Sequence, residues 1–300
     1  MESGRKVISR EFRKWGGFIK FSHTVFAMPF ALAAMLTAAK ANHGWPGFRI
    51  FVLIVLAMVA ARSSAMAFNR IADRDIDALN PRTRNRHLPA GAISLPSAWT
   101  LLIVATMVFA GACYLINPQC FLLCPVALAI VWFYSLTKRF TDFSHVYLGV
   151  ALSLAPIGAW IAVKGSLDIA PVILALGVVC WLVGFDIIYS IQDYEFDRKN
   201  RLHSLPVRWG VHAALIFAFF CHMIMWIFLF AFGLLSGFKV AYSIGLAIIL
   251  LTLLMEHWLA RRRSTKWIQI AFFRLNGMIS FIFLVCVLAE VLFPGFRQPG

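Results

Sequence analysis

Acidic residues are scarce in this chain and gather in two places. Of the 13 Asp and Glu, six lie in two nine-residue stretches, Asn-Arg-Ile-Ala-Asp-Arg-Asp-Ile-Asp at 69–77 and Tyr-Ser-Ile-Gln-Asp-Tyr-Glu-Phe-Asp at 189–197. Asn69, Asp73 and Asp77 fall at i, i+4 and i+8, which sets them on one helix face and turns Asp75 to the other. In the second stretch Asp193, Glu195 and Asp197 take the places of Asp73, Asp75 and Asp77, and Tyr189 takes that of Asn69. Magnesium prefers carboxylate oxygens, keeps several waters and bridges protein carboxylates to substrate phosphates. Two Asp pairs facing each other could therefore hold one or two ions and a diphosphate. A solvated loop paired with its own arginines explains either stretch alone, but not the same pattern twice at matching helix ends.

Cations surround both stretches. Arg70, Arg74, Arg82, Arg84 and Arg86 lie in or after the first, and Arg198, Lys199 and Arg201 follow the second. Arginine offers bidentate contacts to phosphate oxygens. Membrane topology accounts for most of these charges, and Arg70 and Arg74, beside the proposed ligands, are the exceptions to examine. Tyr134 and Lys138 are i, i+4 in Tyr-Ser-Leu-Thr-Lys. They either contact a diphosphate leaving group and its carbocation or belong to an interfacial aromatic belt with a snorkelling lysine. Lys20 and His23 stand at the start of the first apolar run, where they either hold a carboxylate-bearing substrate or anchor the helix.

The elements that must carry these residues are membrane helices. The chain of 300 residues is 61% hydrophobic and 14% charged, with a mean hydropathy of +0.80. Several apolar runs exceed the roughly 18 residues that mark a span. Their length and lack of alternation select helices over a barrel. We expect an all-α membrane protein of nine transmembrane helices: 21–39, 47–69, 95–116, 120–138, 144–163, 169–190, 210–235, 239–258 and 269–293. They would form one polytopic domain over 1–300, with a nine-helix bundle at 21–293 around a central cavity open to the cytoplasm. The loops at 70–94 and 191–208 are polar. Residues 1–20 read as a cytoplasmic N-terminal segment, and the following run is longer than a signal-peptide core, so it is expected to be retained.

Charge sets the orientation. The N-terminus and the loops on its side carry 21 Lys and Arg, and the opposite side carries 5. That bias puts the N-terminus and both acidic stretches in the cytoplasm and the C-terminus outside. The net charge of +15 is thus a matter of topology and anionic lipid rather than nucleic acid. Six cysteines, all within apolar runs, read as reduced core or lipid-facing residues. Three charges lie at depth. Arg62 either pairs with Asp186 across helices or points into a pocket as a substrate contact, and Arg274 opens the last helix. The segment Asn85-Arg86-His87-Leu88-Pro89 is echoed at 200–206 by Asn-Arg-Leu-His-Ser-Leu-Pro, which suggests a repeat of helices 1–4 in helices 5–8.

Together Asn69-x3-Asp73-x3-Asp77, Tyr134-x3-Lys138 and Asp193-x3-Asp197 resemble the three motifs of the UbiA superfamily of intramembrane prenyltransferases. The resemblance spans nearly the whole chain, including the placement of the motifs after helices 2 and 6. Arg70 departs from the Asp that many members carry directly after the Asn. The run Lys-Phe-Ser-His-Thr-Val-Phe-Ala-Met-Pro-Phe at 20–30 resembles bacterial 4-hydroxybenzoate polyprenyltransferase-like members. Some of these are associated with prenylation of a dihydroxynaphthoate on the futalosine route to menaquinone. The resemblance implies a bacterial inner-membrane enzyme that joins a polyprenyl diphosphate to an aromatic acid in ubiquinone or menaquinone biosynthesis. Asn69, Asp73, Asp77, Asp193 and Asp197 would bind Mg2+ and the diphosphate. Lys138, with Arg70 or Arg74, would contact the diphosphate, and Tyr134 would stand near the allylic carbon. Arg62, Lys20, His23 and Tyr189 complete the expected substrate contacts.

Two other classes fit parts of the pattern. A transporter would explain nine helices, a repeat and buried charge, but it does not require paired Asp-x3-Asp faces at the membrane interface. A CDP-alcohol phosphotransferase would also cluster Asp, but its Asp-Gly-x2-Ala-Arg run is missing, because Arg74 and Asp75 follow Asp73.

Overall fold

The computed structural model describes residues 11, 13–20, 24–262 and 264–293, and His23 lies outside them. Its long helices are α1 (Thr24–Ala38), α2 (Phe48–Ala72), α3 (Leu95–Ile116), α4 (Pro118–Thr137), α5 (Ser144–Lys164), α6 (Ile169–Ser190), α7 (Val211–Leu235), α8 (Val240–Ala260) and α9 (Asn276–Leu292). Among the described residues eight segments are long and apolar enough to cross a membrane, and α1 is a shorter apolar helix in place of the first expected span. The chain is a multi-pass, all-helical membrane protein. Large apolar side chains such as Met107, Leu122 and Leu251 are more than 60% exposed, as a lipid-facing surface requires.

Polar residues set the helix ends. Asn117 Oδ1 accepts from the Cys120 amide at 2.8 Å and so caps α4, whose first residue is Pro118. The same carboxamide donates to the Ile161 carbonyl at 2.9 Å, tying the α3–α4 turn to α5. Ser94 caps α3 in the same way, and Gly165, at φ 69°, closes α5 in the left-handed region.

In the first half α2 packs on α3 and α4, and in the second α6 packs on α5 and α7. Helix α1 lies between α5 and α9 and closes the bundle. Its Phe26 and Phe30 meet Trp181 of α6 and Phe283 of α9 in the main apolar core. Small residues allow close approach where lipid gives no hydrophobic drive. A Cβ at Gly149 would stand 2.9 Å from the Val179 carbonyl, and one at Gly184 would strike the His222 ring.

The two segments expected as polar loops hold helix. After α2 comes Arg74–Leu79, and after α6 come a 3-10 turn at Ile191–Asp193 and the helices Tyr194–Lys199 and Leu205–Trp209. The last expected span is also interrupted. A short helix, Thr265–Ile270, and a π turn, Ala271–Leu275, precede α9. The apolar pattern continues through that turn, so hydropathy gives no sign of it.

Candidate active site

Both acidic stretches follow one backbone plan. Asp73 (φ −91°, ψ 4°) interrupts the helix between α2 and Arg74–Leu79, and Asp193 (φ −99°, ψ 0°) does so before Tyr194–Lys199. These angles lie in the bridge region, where a helix can change direction without losing its hydrogen bonds. The Asp73 amide still donates to the Asn69 carbonyl at 2.9 Å, and the Asp77 amide to the Asp73 carbonyl at 2.7 Å. The i, i+4 ladder therefore persists, and Asn69 Nδ2 donates to Asp73 Oδ2 at 2.9 Å. Asp77, Asp193 and Asp197 are buried, whereas Asp75 is exposed and pairs with Arg74. Arg74 is thus spent on the outer face and is not brought to the other carboxylates.

A cation meets each of the four motif aspartates. Arg139 Nη2 lies 3.8 Å from Asp73, and Arg86 Nη1 lies 2.7 Å from both oxygens of Asp77. Buried Arg70 stands 3.7 Å from Asp77 on its other side. Lys138 Nζ lies 2.9 and 2.7 Å from the two oxygens of Asp197. Arg82 clasps Asp193 in a fork, with Nε 2.7 Å from Oδ1 and Nη2 on Oδ2, and its Nη1 donates to the Tyr189 hydroxyl at 3.0 Å. Asn80 Nδ2 adds a bond to Asp193 at 3.1 Å. The loop after the first stretch thereby reaches across to the second, and the two become one site.

The field of this cluster acts on its members. Burial and the neighbouring Asp77 carboxylate push the Asp73 carboxyl up to about 6. Burial, then Arg70, Arg86 and Arg82, bring the Lys20 ammonium down to about 7. Lys20 thus stands in the positive field of the site.

An apolar cavity of about 370 Å3 runs from this cluster along the bundle. It is lined by α1 to α5 and the turn after α5, not by all nine long helices. Arg62 and Tyr134 lie in its wall toward the motif end, and Ile116, Ile161 and Leu167 lie toward the other. From Tyr134 to Cys120 along α4 the wall extends about 21 Å. Arg62 makes no ion pair with Asp186, one of the two arrangements open from sequence. Asp186 instead meets His145 Nδ1 at 2.6 Å, and Arg62 Nε is buried with no hydrogen-bond partner. Arg274, by contrast, is exposed on the π turn.

Sequence reasoning assigned the charges of Arg82 and Arg86 to topology and gave no role to Arg139 or Asn80; of these four only Arg86 finds its partner nearby in the chain. It also gave no role to Asp142, which binds His203 Nδ1 at 3.0 Å and Arg208 Nη1 at 2.7 Å. The His203 amide donates to the Lys138 carbonyl at 3.1 Å, so this clasp props the segment that carries Lys138. The Asn-Arg-(His) echo after each acidic stretch was the one available signal for Arg86 and His203.

Among the described residues no three acidic side chains converge on one point, and the carboxylates stand as two pairs. That donor set suits a hard divalent cation that completes its shell with water and phosphate oxygens, not an all-protein cage.

A sequence profile described as the UbiA prenyltransferase family matches residues 27–278. A 4-hydroxybenzoate octaprenyltransferase of Alkalilimnicola ehrlichii is 32% identical over 246 residues, which cover 81% of this chain and 83% of that one. The structure of a UbiA homologue from Aeropyrum pernix superposes with a TM-score of 0.80 at 30% identity, covering 89% of this chain and 98% of its own. A UbiA homologue from Archaeoglobus fulgidus, solved with GPP and Mg2+, shares the fold with a TM-score of 0.72 at 22% identity, over 93% and 99% of the two chains.

Proposed function

Because the chain belongs to the UbiA prenyltransferase family, we propose that it transfers a polyprenyl group from a polyprenyl diphosphate to the ring of an aromatic acid. The acceptor class is 4-hydroxybenzoate or a dihydroxynaphthoate, and the product is a precursor of ubiquinone or menaquinone. The observation that carries this reading is the placement of Arg62 and Tyr134 in the wall of an apolar cavity beneath a cluster of paired carboxylates and cations.

Asp73 and Asp77, with Asn69, and Asp193 with Asp197 would hold Mg2+ together with the diphosphate oxygens. When bound, the ion neutralises charge on the departing diphosphate and so acts as a Lewis acid. Lys138, Arg82 and Arg86 sit on those same carboxylates and supply fixed positive charge for the leaving group. Arg70 backs Asp77, Tyr189 steadies Arg82, and Lys20 adds to the field. Arg74 serves none of these roles.

The apolar walls of α2 to α5 take the isoprenoid tail and keep water from the allylic cation. Tyr134 presents its ring beside the reacting carbon. Arg62, without a counter-ion among the described residues, binds the acceptor carboxylate and turns the electron-rich ring toward that carbon. The ring attacks, diphosphate leaves, and the ring proton passes to a site carboxylate or to the released diphosphate. Tail length beyond the cavity is accommodated by the surrounding bilayer. The motif end of the bundle faces the cytoplasm, where soluble aromatic acids are found.

An acceptor panel tests this reading. Purified protein with Mg2+ and a polyprenyl diphosphate is given 4-hydroxybenzoate and 1,4-dihydroxy-6-naphthoate in parallel, and products are identified by mass spectrometry. A prenylated product from either acid supports the reading and selects the pathway. Folded protein that prenylates neither would overturn it.

A further inference from the structure

The turn between α8 and α9 carries Arg261-Arg262-Arg263-Ser264-Thr265-Lys266-Trp267, and no acid occurs anywhere from 257 to 289. Arg262 lies between two tryptophan rings, 4.3 Å from the centroid of Trp258 and 5.0 Å from that of Trp267. Trp258 is 55% exposed, and Arg261 and Arg262 are exposed as well. Arg274 stands exposed on the π turn that follows. None of Arg261, Arg262 and Arg274 has an ion-pair partner among the described residues, whereas Arg82, Arg86 and Lys138 of the active site each hold a carboxylate.

We infer that this corner is a binding site for the phosphodiester headgroup of an anionic phospholipid. The position favours a lipid over a soluble anion. The turn joins two apolar helices at the motif end of the bundle, where indole rings occupy the headgroup level of a bilayer. Trp258 and Trp267 hold the Arg262 guanidinium flat by cation–π contact and remove much of its rotamer freedom. The planar donors of Arg262 and the charge of Arg261 are left to meet phosphate oxygens. Among the described residues no carboxylate pairs with this charge, and the anionic leaflet is the adjacent source of counter-charge.

The site also touches the interior. Phe273, in the π turn, packs its ring 6.2 Å from that of Phe26 in α1, and the next residue, Ala27, lines the tail cavity. A headgroup held at this corner would fix the start of α9 against the helix that borders the cavity.

The full chain in mild detergent would be examined by native mass spectrometry with phosphatidylglycerol, phosphatidylcholine or inorganic phosphate. Wild type should retain phosphatidylglycerol in preference to phosphatidylcholine. Arg261→Gln/Arg262→Gln should weaken that retention about thirtyfold, the effect of removing two cations from an anionic surface. A second measurement needs no variant: brominated phosphatidylglycerol should quench wild-type tryptophan emission at lower mole fraction than brominated phosphatidylcholine. Equal retention and quenching by the two lipids would overturn the inference. So would unchanged phosphatidylglycerol binding in the folded double variant, or displacement of the lipid by millimolar phosphate, which would mark a soluble-anion site.

Discussion

Replacing Arg62 by Met should stabilise the protein while impairing it, an outcome that few substitutions share. The side chain sits in an apolar cavity wall, its Nε buried and unpaired, and among the described residues no carboxylate pairs with it. A buried donor without a partner costs about 1–3 kcal/mol. Arginine near the centre of a membrane helix costs a similar amount on insertion scales, about 2.5–3.5 kcal/mol. Met matches the stem and removes both penalties, so Arg62→Met should raise the unfolding temperature in detergent by several degrees. A charge-assisted hydrogen bond to the acceptor carboxylate contributes about 1.5–3 kcal/mol, so its loss should raise the acceptor KM roughly 10- to 150-fold. The KM for the polyprenyl diphosphate should barely move. The decisive comparison uses a phenolic acceptor without the carboxylate, on which Arg62→Met and wild type should be equally slow. A lower melting temperature would refute the idea that Arg62 is unpaired. An equal loss with the carboxylate-free phenol would refute its role in acceptor binding.

Lys138→Met should act in the opposite sense on stability, because Asp197, fully buried, loses its partner. With Lys138 partly open to solvent, we expect a loss of about 1–3 kcal/mol and a fall in kcat of about 10²- to 10³-fold. Adding Asp197→Asn should restore the melting temperature but not turnover, which separates the two effects. Lys20 titrates near 7 and carries its proton below that pH, so its positive charge is present in acid and lost as pH rises. Acceptor or donor KM should therefore climb above pH 7 in wild type, and Lys20→Arg should flatten that part of the profile. Gly158 lines the cavity, and a Cβ there would meet nothing within 4 Å. Gly158→Phe should fold normally, still use dimethylallyl diphosphate and lose a long-chain donor. Equal kcat/KM ratios on the two donors would show that the tail runs elsewhere.

Much of this molecule is visible in one dimension because its strongest signals are one-dimensional. Apolar run length places α3 and α6 to the residue, since lipid demands continuous hydrophobicity and tolerates no irregular backbone. The spacing of Asp73 and Asp77 survives because the hydrogen-bond ladder carries through the bend at Asp73, and at Asp193 a 3-10 turn, with the Tyr194 amide on the Ile191 carbonyl, leads into the next helix. The division of labour among the cations does not show in the sequence. Arg74, next to the carboxylates in the chain, turns outward to Asp75, whereas Arg82 reaches Asp193 across 111 residues. Helix phase and loop path decide that, and neither leaves a trace in composition. The same holds for His145, which claims Asp186 and so leaves Arg62 alone in the cavity. The π turn before α9 is invisible for another reason: it changes backbone winding and leaves hydropathy untouched.

We propose that the paired aspartates act with a divalent ion to expel diphosphate from a prenyl donor. Diphosphate release and prenylated product should be measured together, with Mg2+ present, after EDTA, and after Mg2+ is restored, for wild type, Asp73→Asn and Asp193→Asn. Both signals should vanish with EDTA, return with Mg2+, and stay at least about a hundredfold down in either variant. Product formation that persists in EDTA, or in a folded Asp73→Asn/Asp193→Asn protein, would contradict it.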